Sequence, residues 1–361
     1  MNGNKEYGPG GGLVVRAACA VAVCVLLLGV AARVEEGAKV KPFAKARMIF
    51  KKIEGYPSCH GATITELPGG ALMAAWYAGA YEKAKDVVIF ASMLPKGADD
   101  WKKPFILHDT MSYSEGNPVL YTDRGGRVWF FYVTMFGDMW TDCKVYYKTS
   151  DDGGKSWNAP VTLREETGWM TRNRPLELKD GTFILPMYDE VRWQPLFMLT
   201  NDGGKTWAAA GEKLEVPGGA IQPAVIPRDD GSLLAFLRTG EPGGNVWTIE
   251  SKDSGATWGS PARTELPNPN AAVDAVKLIS GAVAMVFNDS PYDRTPLSVA
   301  LSHDDGKTWP DKRKLEKKFG EFSYPAMIQA SDGTIHIVYT YKRTQIKHAA
   351  FNEEWLMKEK K

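Results

Sequence analysis

The sequence predicts an all-β fold, a six-bladed β-propeller built from four-stranded antiparallel blades. Three observations predict it: an eight-residue motif recurs at a constant period, a strand–turn–strand pattern recurs six times, and residues after 40 carry no long amphipathic helical pattern. Repeat periods of roughly 20–50 residues are typical of solenoids, propellers and arrays, in which each repeat forms one structural unit. The 361-residue chain is long enough for one large domain of this kind.

The recurring motif has the form S-x-D-x-G-x-T-W. Its four copies are SDDGGKSW at 150–157, TNDGGKTW at 200–207, SKDSGATW at 251–258 and SHDDGKTW at 302–309. Their tryptophans are 50, 51 and 51 residues apart, and weaker copies ending at Trp101 and Trp355 extend the series to six units. The Asp can accept backbone N–H groups in a tight turn, the Gly tolerates positive φ, and the Trp packs beneath. We therefore expect the motif to close a hairpin of each blade and not to bind calcium or substrate.

A second pattern gives the same number of units. Each unit begins with a short apolar run that ends in a Gly-containing turn, and a second run of β-branched or aromatic residues follows. The first run of each unit starts at residue 60, 117, 174, 222, 274 or 324. Two such runs joined by a DG or GG turn are typical of a β-hairpin. We expect residues 46–53 to form the outer strand of the last blade and so close the ring.

The N-terminus differs from the rest of the chain. Residues 17–32 form a run of 16 apolar residues, preceded by Lys5 and Arg16 and followed by a charged stretch. Val30, Ala31 and Ala32 provide a small-residue cleavage site, so residues 1–37 are predicted to be a signal peptide and short linker, with an uncleaved membrane anchor as the alternative. Residues 38–361 are then the propeller domain of a secreted, periplasmic or cell-envelope protein, which we expect to be a monomer.

Composition excludes several classes of function. The 44 basic and 43 acidic residues give a net charge of +1, which argues against nucleic-acid binding through bulk charge. The histidines lack ligand spacing and no phosphate-binding loop or dinucleotide fingerprint is present, so we expect neither a metal nor a cofactor. Beyond the apolar run the chain keeps Cys59 and Cys143, which could form one disulfide or remain two buried thiols.

The first residue of each inner strand should crowd the central pit of the propeller. These six residues are His60, Asn117, Arg174, Gln222, Asp274 and Tyr324. A packed core would repeat one apolar residue type at this position, so six different side chains indicate a site for one asymmetric polar ligand. Arg172, and Arg343 with His348, add positive charge and favour an anionic ligand.

The four motifs on six predicted blades resemble the sialidase superfamily, and the resemblance covers residues 46–357. It implies exo-acting glycoside hydrolases in which three arginines hold the substrate carboxylate and a Tyr, assisted by a Glu, attacks the anomeric carbon. A guanidinium matches a carboxylate with two parallel N–H donors. A neutral phenol meets less repulsion from the anionic sugar than a carboxylate would. An acidic side chain in a loop of the first blade protonates the leaving group.

On this resemblance, Tyr324 takes the place of the nucleophile. Arg238, at the end of the second strand of blade four, and Arg294, upstream of the last motif, take the places of two arginines. Glu82 and Asp86 lie in the blade-one segment of the acid, Glu82 being slightly preferred because it falls in the loop over the pit.

Two positions depart from the family pattern. His60 stands where the first arginine is expected, so Arg172 or Arg174 would have to complete the clamp. Gln222 stands where the assisting Glu is expected and cannot accept a proton, so Glu321, Glu115 or Asp274 would have to replace it.

The first hypothesis is therefore an exported sialidase-type hydrolase that releases a terminal anionic sugar, sialic acid by preference, from a glycan. A second hypothesis keeps the pit but changes the substrate to a uronic-acid or sulfated glycan, cleaved by hydrolysis or elimination. A third, motivated by the missing Glu, is a carbohydrate-binding propeller without catalysis, because fold alone does not determine function.

Overall fold

The computed structural model describes residues 41–210 and 214–357. Six antiparallel sheets follow one another along this part of the chain, and the first strands of neighbouring sheets contact one another around a common axis. The six-bladed all-β prediction is confirmed. The helical segments in the described residues are a 3₁₀ turn at Trp140–Asp142 and α1 (Glu353–Leu356). Neither could cross a membrane, and no other described segment is a long apolar helix. The predicted signal peptide, residues 1–37, lies outside the described residues.

Strands are numbered in chain order, and β1 (Ala44–Met48) precedes the blades. Blade one contains β2 (Ser58–Glu66), β3 (Leu72–Gly79), β4 (Val88–Leu94) and β5 (Phe105–His108). Blade two contains β6 (Ser114–Thr122), β7 (Val128–Met135), β8 (Cys143–Ser150) and β9 (Val161–Arg164). Blade three contains β10 (Trp169–Thr171), β11 (Leu176–Glu177), β12 (Phe183–Asp189), β13 (Gln194–Thr200) and β14 (Ala208–Ala210).

The remaining three blades repeat the order. Blade four contains β15 (Ala220–Pro227), β16 (Leu233–Thr239), β17 (Gly244–Ser251) and β18 (Ala262–Asn268). Blade five contains β19 (Asp274–Lys277), β20 (Val283–Asn288), β21 (Leu297–Ser302) and β22 (Asp311–Glu316). Blade six contains β23 (Phe322–Gln329), β24 (Ile335–Tyr341) and β25 (Gln345–Phe351).

The N-terminal strand completes blade six. Strand β1 pairs antiparallel with β25, with Ala44 opposite Phe351 and Met48 opposite Lys347. The predicted closing strand at 46–53 is thus present but begins two residues earlier and ends five residues earlier. Ile49 and Phe50, which follow it, are buried in the core between blades one and six.

The two cysteines of the described residues are buried free thiols. Cys59 lies in blade one and Cys143 in blade two, and neither forms a disulfide. Burial raises the pKa of Cys59 to about 12. Of the two alternatives drawn from the sequence, two unreactive core thiols is the one observed.

The eight-residue motif closes a turn, as predicted, and also joins neighbouring blades. Asp202 Oδ1 accepts the N–H groups of Lys205 at 2.9 Å and Thr206 at 3.0 Å, and Oδ2 accepts the Thr206 hydroxyl at 2.6 Å. The hydrogen bond from the Thr206 hydroxyl lowers the pKa of the Asp202 carboxyl most, and the other hydrogen bonds lower it further. Trp207 packs edge-on against Trp129 of blade two. Each motif therefore stabilises its own turn and the contact with the preceding blade.

Replacing Gly204 with Ala should destabilise this contact. Gly204 has φ +83° and a Cβ there would lie 2.5 Å from the Trp129 ring, so the substitution adds both backbone strain and a steric clash. We expect the free energy of unfolding to fall by about 2–4 kcal/mol in urea titrations. Gly203→Ala is the matched control, because Gly203 has φ +72° but nothing within 4 Å of its Cβ position. Equal losses in the two variants would exclude the clash as the cause.

A bulge in the inner strand aims side chains at the axis. The pairing of first and second strands shifts register in blades one, two, four and six. At these shifts Gly61, Asn117, Gln222 and Tyr324 have φ of 65°, 43°, 58° and 50°. Positive φ is uncommon for residues other than glycine and is concentrated at functional sites.

Candidate active site

A polar pit of about 190 Å³ lies at the axis, where the inner strands begin. Seven of its lining residues were predicted from the sequence: Glu82, Asn117, Gln222, Arg238, Arg294, Tyr324 and Arg343. The other lining residues are Tyr77, Trp140, Met170, Tyr188, Glu190, Trp193 and Ile221. The pit thus combines three guanidiniums, two carboxylates and a group of aromatic side chains.

Tyr324 is held at this pit by an arginine. Arg238 Nη1 donates to Tyr324 Oη at 3.0 Å and to Gln222 Oε1 at 3.2 Å, while Arg238 Nε donates to Asn270 Oδ1 at 2.7 Å. Burial alone would raise the pKa of Tyr324, but the positive charges of Arg238 and Arg294 outweigh it and lower the pKa below its usual value. The two guanidiniums therefore favour the ionised form of the phenol.

Arg294 and Arg343 share one carboxylate. Glu321 accepts Arg294 Nη1 at 2.9 Å through Oε1 and Arg343 Nε at 2.7 Å through Oε2. Arg343 Nη1 also pairs with Glu82. Glu321, expected as a base for Tyr324, instead positions two arginines, and no hydrogen bond joins it to Tyr324 within the described residues. The third guanidinium of the pit is Arg343.

Arg174 and Asp274 were expected at the pit but lie elsewhere. Arg174 Nη1 contacts Asp274 Oδ1 at 3.4 Å and the Ala275 carbonyl at 3.2 Å. Arg174 lines a separate recess of about 470 Å³, formed where the inner strands end. The physical reason is backbone geometry: the pairing of β19 with β20 has no bulge, and the first strand of blade three is broken into β10 and β11.

His60 and Arg172 lie buried next to Tyr324 and do not line the pit. The His60 ring centroid is 4.4 Å from that of Tyr324, and neither ring nitrogen has a hydrogen-bond partner. Burial, reinforced by the surrounding arginines, holds the pKa of His60 well below its usual value, so the ring is neutral. His60 misses the pit because the bulge of blade one falls one residue later, at Gly61.

Three further candidates also lie outside the pit. Both carboxylate oxygens of Asp86 accept the Ala80 N–H, at 3.2 and 3.1 Å, and so brace the loop that carries Glu82. Glu115 is fully buried and accepts the Thr134 hydroxyl at 2.8 Å. His348 contacts His336 in blade six.

Two tyrosines of the pit were missed in the sequence. Tyr188 Oη accepts Asn117 Nδ2 at 3.0 Å and Gln222 Nε2 at 3.4 Å, which orients both amides. In the strand pairing of blade one Tyr77 lies opposite His60, and in blade four Arg238 lies opposite Ile221. Tyr77 and Arg238 therefore occupy equivalent positions in their blades. Comparing the ends of all six second strands would have found Tyr77.

Glu190 was also missed, and it is the unpaired carboxylate of the pit. Its side chain makes no hydrogen bond or ion pair within the described residues, in contrast to Glu82. Burial raises the pKa of Glu190 to about 6, although the nearby Arg238 opposes the shift. Glu190 follows β12 in a turn, a position where the sequence alone gives no functional signal.

This carboxylate should make anion binding pH-dependent. Below about pH 6 Glu190 is neutral, and above it the negative charge repels an anionic ligand. We expect the Kd of an anionic sugar, measured by calorimetry, to rise about 3–10-fold between roughly pH 5 and pH 7.5. Glu190→Gln should remove most of this rise, whereas Glu54→Gln, on the exposed surface, should keep it. An unchanged pH dependence in Glu190→Gln would contradict the assignment.

Comparisons with known proteins agree with this architecture. A family model described as a BNR repeat-like domain matches residues 70–337. The chain is 27% identical to a sialidase of Micromonospora viridifaciens over 58% of this chain and 35% of that protein. It is 25% identical to a sialidase of Bacteroides fragilis over 72% of this chain and 50% of that protein. The chain thus spans about a third to a half of these relatives' length.

The similarity extends to solved structures. The NanB sialidase of Streptococcus pneumoniae superposes with a TM-score of 0.75 at 14% identity, over 86% of this chain and 71% of that one. At this identity the superposition shows a shared fold.

Proposed function

Because the chain belongs to the BNR repeat-like domain family and has the propeller of the sialidase superfamily, we propose that it is a sialidase-type hydrolase releasing terminal sialic acid from glycans. The observation that carries the proposal is the 3.0 Å hydrogen bond from Arg238 to the Tyr324 hydroxyl inside a pit with two further guanidiniums. Export of the enzyme is part of the proposal, and N-terminal sequencing of the mature protein tests it.

Arg238, Arg294 and Arg343 form the carboxylate clamp in this proposal. The Nη2 groups of Arg238 and Arg343 have no hydrogen-bond partner among the described residues, so they are free to donate to a ligand. Glu321 and Asn270 hold the arginines from the protein side. Guanidiniums held in this way keep the Nη2 donors of Arg238 and Arg343 available to a ligand carboxylate, with their positions already fixed by the protein.

The reaction then proceeds by two displacements. Tyr324 Oη gives its proton to solvent and attacks the anomeric carbon, the glycosidic bond breaks, and Glu82, in a protonated form released from its pair with Arg343, gives its proton to the departing oxygen. Glu82 is assigned this role because it lines the pit from the loop between β3 and β4 of blade one. In the second step Glu82 takes a proton from a water molecule. The oxygen of that water attacks the anomeric carbon and displaces Tyr324 from the sugar. Two inversions give a product of retained configuration.

One observation favours a second candidate. Gln222 occupies the place of the assisting carboxylate, which is compatible with a glycan-binding propeller that does not turn over substrate. Another anionic sugar, such as a uronic acid or a sulfated residue, would fit the same cluster of guanidiniums.

A substrate panel separates these possibilities. The protein is incubated with a fluorogenic α-sialoside, with uronides and with sulfated glycosides, and products are followed by fluorescence and by the ultraviolet absorbance of unsaturated sugars. We expect release from the sialoside. Release from a uronide alone would assign a uronic acid as the substrate in place of sialic acid. Saturable binding of sialic acid without turnover of any substrate would identify a binding protein.

A further inference from the structure

Arg172 is a buried charge with little to compensate it. Its side chain is 1% exposed, and of its guanidinium nitrogens Nη2 alone has a partner, the Pro325 carbonyl at 3.0 Å. Nε and Nη1 are buried without a hydrogen bond. An unpaired buried charge destabilises a fold, so stability gives no reason for an arginine at this position.

The guanidinium lies over the face of Tyr324. Its central carbon is 5.2 Å from the Tyr324 ring centroid, and those of Arg294 and Arg238 are 5.6 and 5.9 Å away. A cation over an aromatic face is favourable, and it stabilises the negative phenolate more than the neutral phenol. Three guanidiniums therefore lie within 6 Å of the Tyr324 ring, and one of them, that of Arg238, contacts the hydroxyl.

Few negative charges near Tyr324 oppose the three arginines. The acidic residue that raises the pKa of Tyr324 is Glu82, which is paired with Arg343. The other titratable groups against Tyr324 are neutral side chains: His60, Tyr77 and Tyr188. The carboxylate that favours the charged form of Arg172, and so opposes the lowering of its pKa by burial, is Asp274, which also contacts Arg174 and the Met327 N–H.

We propose that Arg172 is a positioning residue whose buried charge prepares Tyr324 for attack, in place of the carboxylate base that is absent at Gln222. Its catalytic consequence rests on the proposed function. The phenolic proton of Tyr324 passes to solvent before the substrate reacts. The phenolate lone pair then forms the bond to the anomeric carbon, and the electrons of the broken bond go to the leaving oxygen, which Glu82 protonates.

This assignment accounts for two substitutions together. Gln222 cannot accept a proton, but a phenol ionised by fixed charges needs no base in the pit. His60 puts a neutral ring beside Tyr324 where the family would have a further cation. Because Arg172 is covered by Tyr324 and Pro325, it acts through its charge and not by touching the substrate.

The test measures ionisation of Tyr324 directly. The absorbance of tyrosinate is measured against pH in the wild-type protein and in Tyr324→Phe. The difference between the two curves gives the pH midpoint of Tyr324 ionisation. We expect this midpoint below that of free tyrosine, and Arg172→Met should move it to higher pH by about one unit or more. Arg172→Lys, which keeps the charge, should move it less. Arg164→Met is the matched control, because Arg164 lies 5.2 Å from the Trp169 ring, outside the pit.

Activity gives a second readout. On a fluorogenic sialoside, Arg172→Met should lose about tenfold or more in kcat/KM at neutral pH and recover as the pH is raised, whereas a merely structural defect would not recover. A wild-type Tyr324 midpoint at or above that of free tyrosine overturns the inference. An unchanged midpoint in folded Arg172→Met overturns it as well.

The outcomes also separate this inference from the proposed function. If Arg172→Met does not fold, as judged by circular dichroism, the wild-type midpoint and Arg172→Lys decide the question. A lowered midpoint without hydrolysis of any sialoside contradicts the proposed function and supports the role of Arg172. Sialoside hydrolysis with an ordinary midpoint contradicts the role of Arg172 alone.

Discussion

Replacing Tyr324 with Phe is expected to lower kcat on an α-sialoside about a thousandfold or more and to change the Kd of sialic acid less than about threefold. Phe keeps the ring that packs on His60 and removes the hydroxyl that Arg238 contacts. The change therefore removes the nucleophile and leaves the pit in place. Steady-state kinetics and calorimetry on the same preparations measure the two effects.

Tyr188→Phe is the matched control for this prediction. Tyr188 lines the same pit, but its hydroxyl accepts hydrogen bonds from Asn117 and Gln222 and makes none with an arginine. Its loss should reduce kcat by less than about tenfold. Equal losses in the two variants would mean that Tyr324 has no special chemical role.

Arg294→Lys should have the second largest effect. Lys keeps the positive charge but cannot present two parallel N–H donors, and it also loses the contact with Glu321 at 2.9 Å. We expect the Kd of sialic acid to rise about 10–100-fold and kcat/KM to fall by at least as much, since charged hydrogen bonds contribute about 1.5–3 kcal/mol.

Arg174→Lys provides the comparison, because Arg174 contacts Asp274 and lines the separate recess instead of the pit. It should bind sialic acid as the wild type does. Melting temperatures of both variants show whether either one has lost stability. If Arg174→Lys weakened binding as much as Arg294→Lys, the clamp assigned to Arg238, Arg294 and Arg343 would be wrong.

Much of the fold follows from the sequence, because repetition reports architecture directly. Four motifs at nearly constant spacing and six hairpins determined the number of blades, and the motif chemistry seen at Asp202 matches what its residues imply. The first and second strands of each unit also give the positions of Tyr324 and Arg238, which the structure joins by a hydrogen bond.

The site was less predictable because its geometry depends on the bulge and on side-chain pairing. The bulge falls at Gln222 and Tyr324 and at the equivalent Gly61 in blade one, so His60 lies one residue before the position that faces the pit. Arg174 and Asp274 lie in blades without that bulge. The link between Glu321 and its two arginines joins residues from different blades, and no local pattern reveals it.

The most direct test of the account is the stereochemistry of the first product. Proton nuclear magnetic resonance of a cleaved α-sialoside distinguishes α- from β-sialic acid before the free sugar equilibrates. If Tyr324 forms a covalent intermediate, α-sialic acid appears first and the β anomer accumulates only by mutarotation. Initial appearance of the β anomer would show direct attack by water and would contradict the role assigned to Tyr324.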